Sequence, residues 1–255
     1  MSHPNWNKID QFSESFPIYD CVYLDILGYK ERVAEYFGNQ YNLFGRINRA
    51  LEKAEVVFTL TAPLLDTSEL SIEIISDSII IFQPVKQHGL AKLLLHAAIL
   101  TALLNCEGLF LRGGIARGKH CRRKTEQGFN FLASQALQKA YALEQKANFA
   151  RILVEPEIVT DLAPEEKGLI VRENNEFILH FANHVINREA NNSNYVHAEM
   201  TELLSSIKNQ SDEKIKAKHR WLLDYYHWTI TQNPKWDALK FTEFAPPSRG
   251  FSFLT

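Results

Sequence analysis

The chain has 255 residues, is 45% hydrophobic, and carries 28 Lys and Arg against 30 Asp and Glu, a formal net charge of −2. That length and apolar content support a sizeable core, and the near-balanced charge excludes a global field for nucleic acid or an anionic membrane, so any anion site is local. Cys21, Cys106 and Cys121 are odd in number with no close C-x-x-C pair, which excludes a disulfide framework and a zinc ribbon.

The opening Met1-Ser2-His3-Pro4-Asn5-Trp6 lacks the charged-then-apolar pattern of a signal peptide, and no uninterrupted apolar run reaches about 18 residues. A cytoplasmic protein with no membrane span is expected. Residues 1–17 read as a polar N-terminal arm. A run of β-formers then makes a strand over 18–25 and ends in Asp25-Ile26-Leu27-Gly28-Tyr29-Lys30. Gly28 permits a tight turn into a helix whose first backbone N–H groups, at Gly28, Tyr29 and Lys30, suit phosphate. A carboxylate at the end of a buried strand needs a compensating cation, so Asp25 reads as a metal ligand. It reads equally as the cap of the next helix, and a second carboxylate is needed to decide.

Helical spacing from Lys30 to Ala62, broken near Gly38-Asn39 and stopped before Pro63, predicts one broken helix or two. Residues 70–83 are two β-rich halves around Ser76-Asp77-Ser78, which predicts a hairpin with Asp77 at its tip. An almost wholly apolar helix, too short to span a membrane, is predicted over 88–106 and a strand over 109–118, where the paired Gly113-Gly114 imply close approach of another backbone or a ligand. A basic loop from Lys119 to Lys124 reads as triphosphate contact or plain solvation. A helix over 131–146 and a strand over 150–154 follow.

The order β-α-β-β-α-β is the split pattern of a ferredoxin-like sheet, an α+β fold that sets the first and third strands side by side. Under it Asp25 and Asp77 converge. Past residue 160 the pattern predicts a hairpin around Glu173-Asn174-Asn175-Glu176, a polar loop over 187–194, helices over 196–209 and 212–232, and an extended tail from Phe241. His180 and His184 lie in a strand-like segment and read as structural, while Trp221, Tyr225 and Trp228 form a stripe that packs on the body or meets a second copy. The chain divides into the arm at 1–17, a core domain at 18–195 and a helical extension at 196–255 packed on it.

Four segments carry a family resemblance. Tyr23-Leu24-Asp25-Ile26-Leu27-Gly28-Tyr29, Ile75-Ser76-Asp77-Ser78, Leu111-Arg112-Gly113-Gly114-Ile115-Ala116-Arg117-Gly118 and Ala140-Tyr141-Ala142-Leu143-Glu144 resemble, in order, motifs of the class III nucleotidyl cyclases. Within that family the details are similar to the bacterial pyrimidine cyclases of the Pycsar antiphage systems. The resemblance implies conversion of UTP to cyclic UMP, with CTP to cyclic CMP as the alternative, in a homodimer with sites across its interface. The product would act on a cyclic-nucleotide-gated effector.

The resemblance implies two Mn²⁺ or Mg²⁺ ions on Asp25, Asp77 and the Ile26 carbonyl, and phosphate contacts from Leu27, Gly28, Tyr29, Lys30 and Arg112. It places Glu73 where the base is selected. It also exposes a departure, because the family's transition-state asparagine and arginine fall on Gln138 and Ala142. The missing cation must then come from Arg117, taken as the catalytic candidate, or from Arg122, Arg123 or Lys124. The alternatives are a nucleotide-binding homologue without turnover, and a purine or diguanylate cyclase, although no G-G-D-E-F-like hairpin is present.

Overall fold

Strand β1 (Ile18–Ile26) runs through the centre of the sheet, and its alternation sorts the whole molecule. Val22, Leu24 and Ile26 are buried in the main core on one face, while Cys21 belongs to a smaller cluster on the other, the face that also carries Tyr23 and Asp25. The computed structural model describes residues 16–61, 70–86, 89–124, 130–182, 193–232, 244 and 247–254. The N-terminal arm up to residue 15, the polar loop at 187–192 and His184 lie outside these.

After β1 the chain forms α1 (Tyr29–Phe37) and α2 (Leu43–Thr61), separated at Gly38-Asn39 as the broken pattern predicts. The hairpin follows as β2 (Ser71–Ile75) and β3 (Ser78–Pro84), with Ser76 at φ 58 in the turn. Next come α3 (Gly89–Cys106) and β4 (Leu111–Lys124). Among the described residues nine strands make one sheet, ordered β2-β3-β1-β4-β6-β8-β7-β9 with β5 paired to β4. The pairing of β1 with β3 and β4 is antiparallel, which is the ferredoxin-like arrangement.

Three expectations change. The basic segment Lys119 to Lys124 is not a loop but the far end of β4, made a strand by pairing with β5 (Asn130–Ser134), so tertiary context overrides weak local propensity. The predicted helix over 131–146 therefore begins only at Gln135, where Ser134 caps α4 (Gln135–Lys146) by accepting from the Leu137 N–H at 3.2 Å. Finally, α3 reaches 18 residues with a mean hydropathy of 1.6, long and apolar enough by composition to cross a membrane, but 72% of it is buried inside the fold against β3 and α2.

Beyond α4 lie β6 (Ile152–Val154), parallel to β4, a helical turn α5 (Pro156–Val159), a 3-10 turn (Pro164–Leu169), and the hairpin β7 (Ile170–Glu173) and β8 (Glu176–Leu179). Helices α6 (Ser193–Asn209) and α7 (Glu213–Gln232) pack on each other, and β9 (Phe251–Phe253) completes the sheet on β7. The aromatic stripe of α7 is packing: Trp221 and Tyr225 are fully buried and stack at 5.2 Å, and Tyr225 shares a hydrogen bond with His180 at 2.7 Å.

Candidate active site

The register of the sheet brings the two predicted carboxylates together. Asp25 pairs with Ser78 of β3 and with Arg112 of β4, and the Ile26 N–H donates to the Asp77 carbonyl at 3.0 Å, so the hairpin tip is bonded to the end of β1. Asp77 adjoins the Ser78 that faces Asp25, close enough to raise the Asp25 carboxyl. Burial pushes the Asp25 carboxyl above its ordinary value, Arg112 draws it back only in part, and Asp77 pushes it up again.

Arg112 answers the charge. Its Nε donates to Asp25 Oδ2 at 3.1 Å and is paired at the same time with Glu144, on α4, whose side chain is 1% exposed. Gln145 donates to the other Glu144 oxygen at 2.6 Å. Burial raises the Glu144 carboxyl above its ordinary value against the pull of Arg112 and Gln145. Above this group, Tyr23 shares a 2.7 Å hydrogen bond with Ser78 and sets its ring edge-on to Tyr141 of α4.

Helix α4 reaches β4 because Gly114 has no side chain. A Cβ there would lie 2.1 Å from the Ala140 carbonyl oxygen, and one at Gly118 would lie 2.7 Å from the Ala136 nitrogen. The close approach expected at the paired glycines is thus to another backbone. It brings Glu144 over Arg112.

The start of α1 is open. Gly28 sits at φ 71 as the N-cap with no side-chain hydrogen bond, so Asp25 is not the helix cap, and the first turn keeps unsatisfied N–H groups beside Asp25. Leu27 does not join them as expected, because its N–H is already spent on the Phe110 carbonyl at 2.9 Å.

Arg117 is not at this site. It lies five residues beyond Arg112 on β4, and an odd step turns it to the opposite face. There its Nε donates to Asp20 Oδ1 at 2.6 Å, its other nitrogens bond Asp20 and Asp161, and its backbone N–H donates to Glu155. Glu73 does share the Asp25 face, in the row of Ile80 and Tyr23, where Arg122 pairs with it and also donates to Ser71 Oγ at 3.1 Å. Gln138 and Ala142 both stand on the exposed side of α4. Sequence reasoning missed the pairing of Arg112 with Asp25; the signal available for it was their shared parity across two antiparallel strands.

Among the described residues no group of three or more His, Cys, Asp and Glu has the geometry of a metal cluster. The donor set that does converge, two carboxylates with backbone carbonyls beside a phosphate cradle, fits Mg²⁺ or Mn²⁺, which take few protein oxygens and complete their shell with substrate phosphates and water.

No protein-family model matches the chain, and no curated protein matches it. Solved structures align with it. An adenylate cyclase from Trypanosoma brucei is 12% identical over 66% of this chain and 90% of its own, with a TM-score of 0.46. The guanylate cyclase domain of RhGC from Catenaria anguillulae, in complex with GTP, is 10% identical over 65% and 96%, with a TM-score of 0.43. A class III adenylyl cyclase-like ATP-binding protein from Pseudomonas aeruginosa is 11% identical over 60% and 36%, with a TM-score of 0.43. Likeness at this level says nothing of activity, and the chemistry below rests on this chain's own side chains.

Proposed function

We propose that the chain is a metal-dependent nucleotidyl cyclase that converts a pyrimidine nucleoside triphosphate, UTP foremost and CTP as the alternative, into its 3′,5′-cyclic monophosphate and pyrophosphate. The observation that carries this reading is the register that sets Asp25 opposite Ser78 and bonds the Ile26 N–H to the Asp77 carbonyl, which brings both acidic residues beside the uncapped start of α1. The ribose 3′-hydroxyl attacks the α-phosphorus, the bond to the β-phosphate oxygen breaks, and pyrophosphate leaves. Divalent cations, when bound, lower the pKa of that hydroxyl and stabilise the leaving oxygens.

Asp25, Asp77 and the Ile26 carbonyl would hold the cations. The backbone N–H groups of Gly28, Tyr29 and Lys30 would cradle the β- and γ-phosphates at the positive end of α1. Arg112 is the cation nearest Asp25 on this face, so it takes over the neutralising role that the sequence assigned to Arg117. The Glu73–Arg122 pair, on the same face, would meet the base. The exposed side of α4, with Gln138, Tyr141 and Ala142, would face a second copy in a homodimer. The motif resemblance supports the pyrimidine base, a signal of antiphage defence and an effector gated by the product.

A nucleotide-binding protein without turnover is the second reading, favoured by the exposed alanine at 142. Incubating the purified chain with Mn²⁺ and each of the four ribonucleoside triphosphates, with products identified by mass, separates the two. Cyclic UMP or cyclic CMP with pyrophosphate is expected. Unchanged nucleotides in every tube would contradict the proposal, and a cyclic purine product would correct the base.

A further inference from the structure

Helix α1 carries the turn that the cations and the triphosphate would use, yet little packing holds it. It has nine residues and buries none of them fully; only the partly buried Tyr29, Val33 and Tyr36 lean on the core. A helix that short is marginal without tertiary support. What ties it down is polar. At the turn itself the Leu27 N–H is bonded to the Phe110 carbonyl at 2.9 Å. Within the first turn of the helix, Arg32 donates from one terminal nitrogen to the Gly108 carbonyl at 2.9 Å and from the other to the Tyr41 hydroxyl. Leu27 and Arg32 thus both end on the short link between α3 and β4, and the turn is clamped on either side of Gly28.

The anchor is itself fixed. The Arg32 and Arg46 guanidinium groups lie 5.1 and 4.9 Å from the centre of the Tyr41 ring, and Arg46 donates to the Glu107 carbonyl at 2.7 Å. Bare charge is not what Arg32 brings to the turn. A Cβ on Gly28 would stand 4.0 Å from Arg32 Nε and also 4.0 Å from Glu31 Oε2, so an anion there meets one charge of each sign.

We infer that Arg32 is a positioning residue for the proposed substrate: by tying α1 to the α3–β4 link it holds the Ile26 carbonyl and the open N–H groups of Gly28, Tyr29 and Lys30 in place for a metal-bound triphosphate. The inference rests on the reading of this turn as the cation and phosphate site. Order already present in the free protein need not be created on binding, so loss of the tie costs affinity for the triphosphate.

The test is equilibrium binding of 3′-deoxy-UTP with Mn²⁺ to the full chain, well below its melting temperature; the probe lacks the attacking hydroxyl and is not turned over. Arg32→Gln is expected to bind about tenfold more weakly, the worth of one hydrogen bond to a charged group. Arg32→Lys keeps the charge but cannot span both partners, and is expected to lose as much. Tyr41→Phe leaves every charge and the ring in place, removes one of the two partners, and is expected to lose about threefold.

An Arg32→Lys protein within about twofold of wild type would show that charge suffices and overturn the inference. So would wild-type affinity in Arg32→Gln with only a lower melting temperature, the mark of a merely structural role. Should the Arg32 variants fail to fold, Tyr41→Phe decides alone: the threefold loss supports the inference and an unchanged affinity overturns it. Failure of the underlying reading looks different. In that case wild type itself binds no 3′-deoxy-UTP, or Asp77→Asn binds it as tightly as wild type does.

Discussion

Asp25 and Asp77 adjoin at the end of β1, and Arg112 offsets the charge there only in part. Replacing Asp77 by Asn removes a like charge from the Asp25 carboxyl, so with metal chelated the variant is predicted to melt higher than wild type by roughly 2–4 °C. Added Mn²⁺ should raise the melting temperature of wild type and leave the variant unmoved; a variant that gains as much from Mn²⁺ would place the metal elsewhere. A second residue gives a pH signature. Burial pulls the Glu107 carboxyl up, but hydrogen bonds from Arg49 and Lys53 outweigh it and hold Glu107 below its ordinary 4.5. A depressed carboxylate adds stability above its unfolded pKa and loses it as pH falls through the folded one. Melting curves should therefore show a shallower acid limb in Glu107→Gln than in wild type. Residue by residue, Asp25 and Asp77 were legible because alternation and turn chemistry are local rules. Arg117 misled because face parity was not counted along β4, and the Leu27 N–H was lost to Phe110, a partner no local rule announces.

Helix α4 is where small residues decide the packing on β4. Gly114→Ala would drive a methyl into the Ala140 carbonyl, so α4 must lift and take Glu144 with it. Overpacking of this kind costs about 1–3 kcal/mol, and the variant should show that loss in urea. Gly168→Ala, where a Cβ meets nothing within 4 Å, is the control and should change stability by less than about 0.5 kcal/mol. Equal effects of the two would mean that the contact at Gly114 is slack. The paired glycines announced this close approach in the sequence. The start of α4 was not legible there, because Phe131 and Leu132 suit a helix as well as a strand, and only the pairing of Leu132 with Arg122 settles it.

At the scale of the molecule, Glu173 ties the far end of the sheet to the C-terminal segment. It is 2% exposed and accepts from Arg151 at 3.0 Å, from the Trp221 indole at 2.9 Å and from Arg249 at 3.0 Å. Nothing in the turn-like Glu173-Asn174-Asn175-Glu176 pattern revealed that burial, since the partners come from three distant segments. Glu173→Ala leaves Arg151 with Glu176 as its remaining partner but strips the buried Trp221 indole N–H of its acceptor, and should cost about 1–3 kcal/mol in denaturant unfolding. A loss under 1 kcal/mol would show the network to be dispensable. The α7 stripe, by contrast, was legible as a stripe from spacing, and the burial of Trp221 and Tyr225 decides that it packs on the body. Asp25 and Asp77 lie away from this network, at the end of β1 and in the turn between β2 and β3, with β4, β6 and β8 between them and β7. The most direct measurement of the whole account is pyrophosphate release from UTP and CTP with Mn²⁺ by wild type and Asp77→Ala side by side. Wild-type turnover with at least a hundredfold loss in a variant that still folds is predicted, and an Asp77→Ala protein that turns over at the wild-type rate would contradict it.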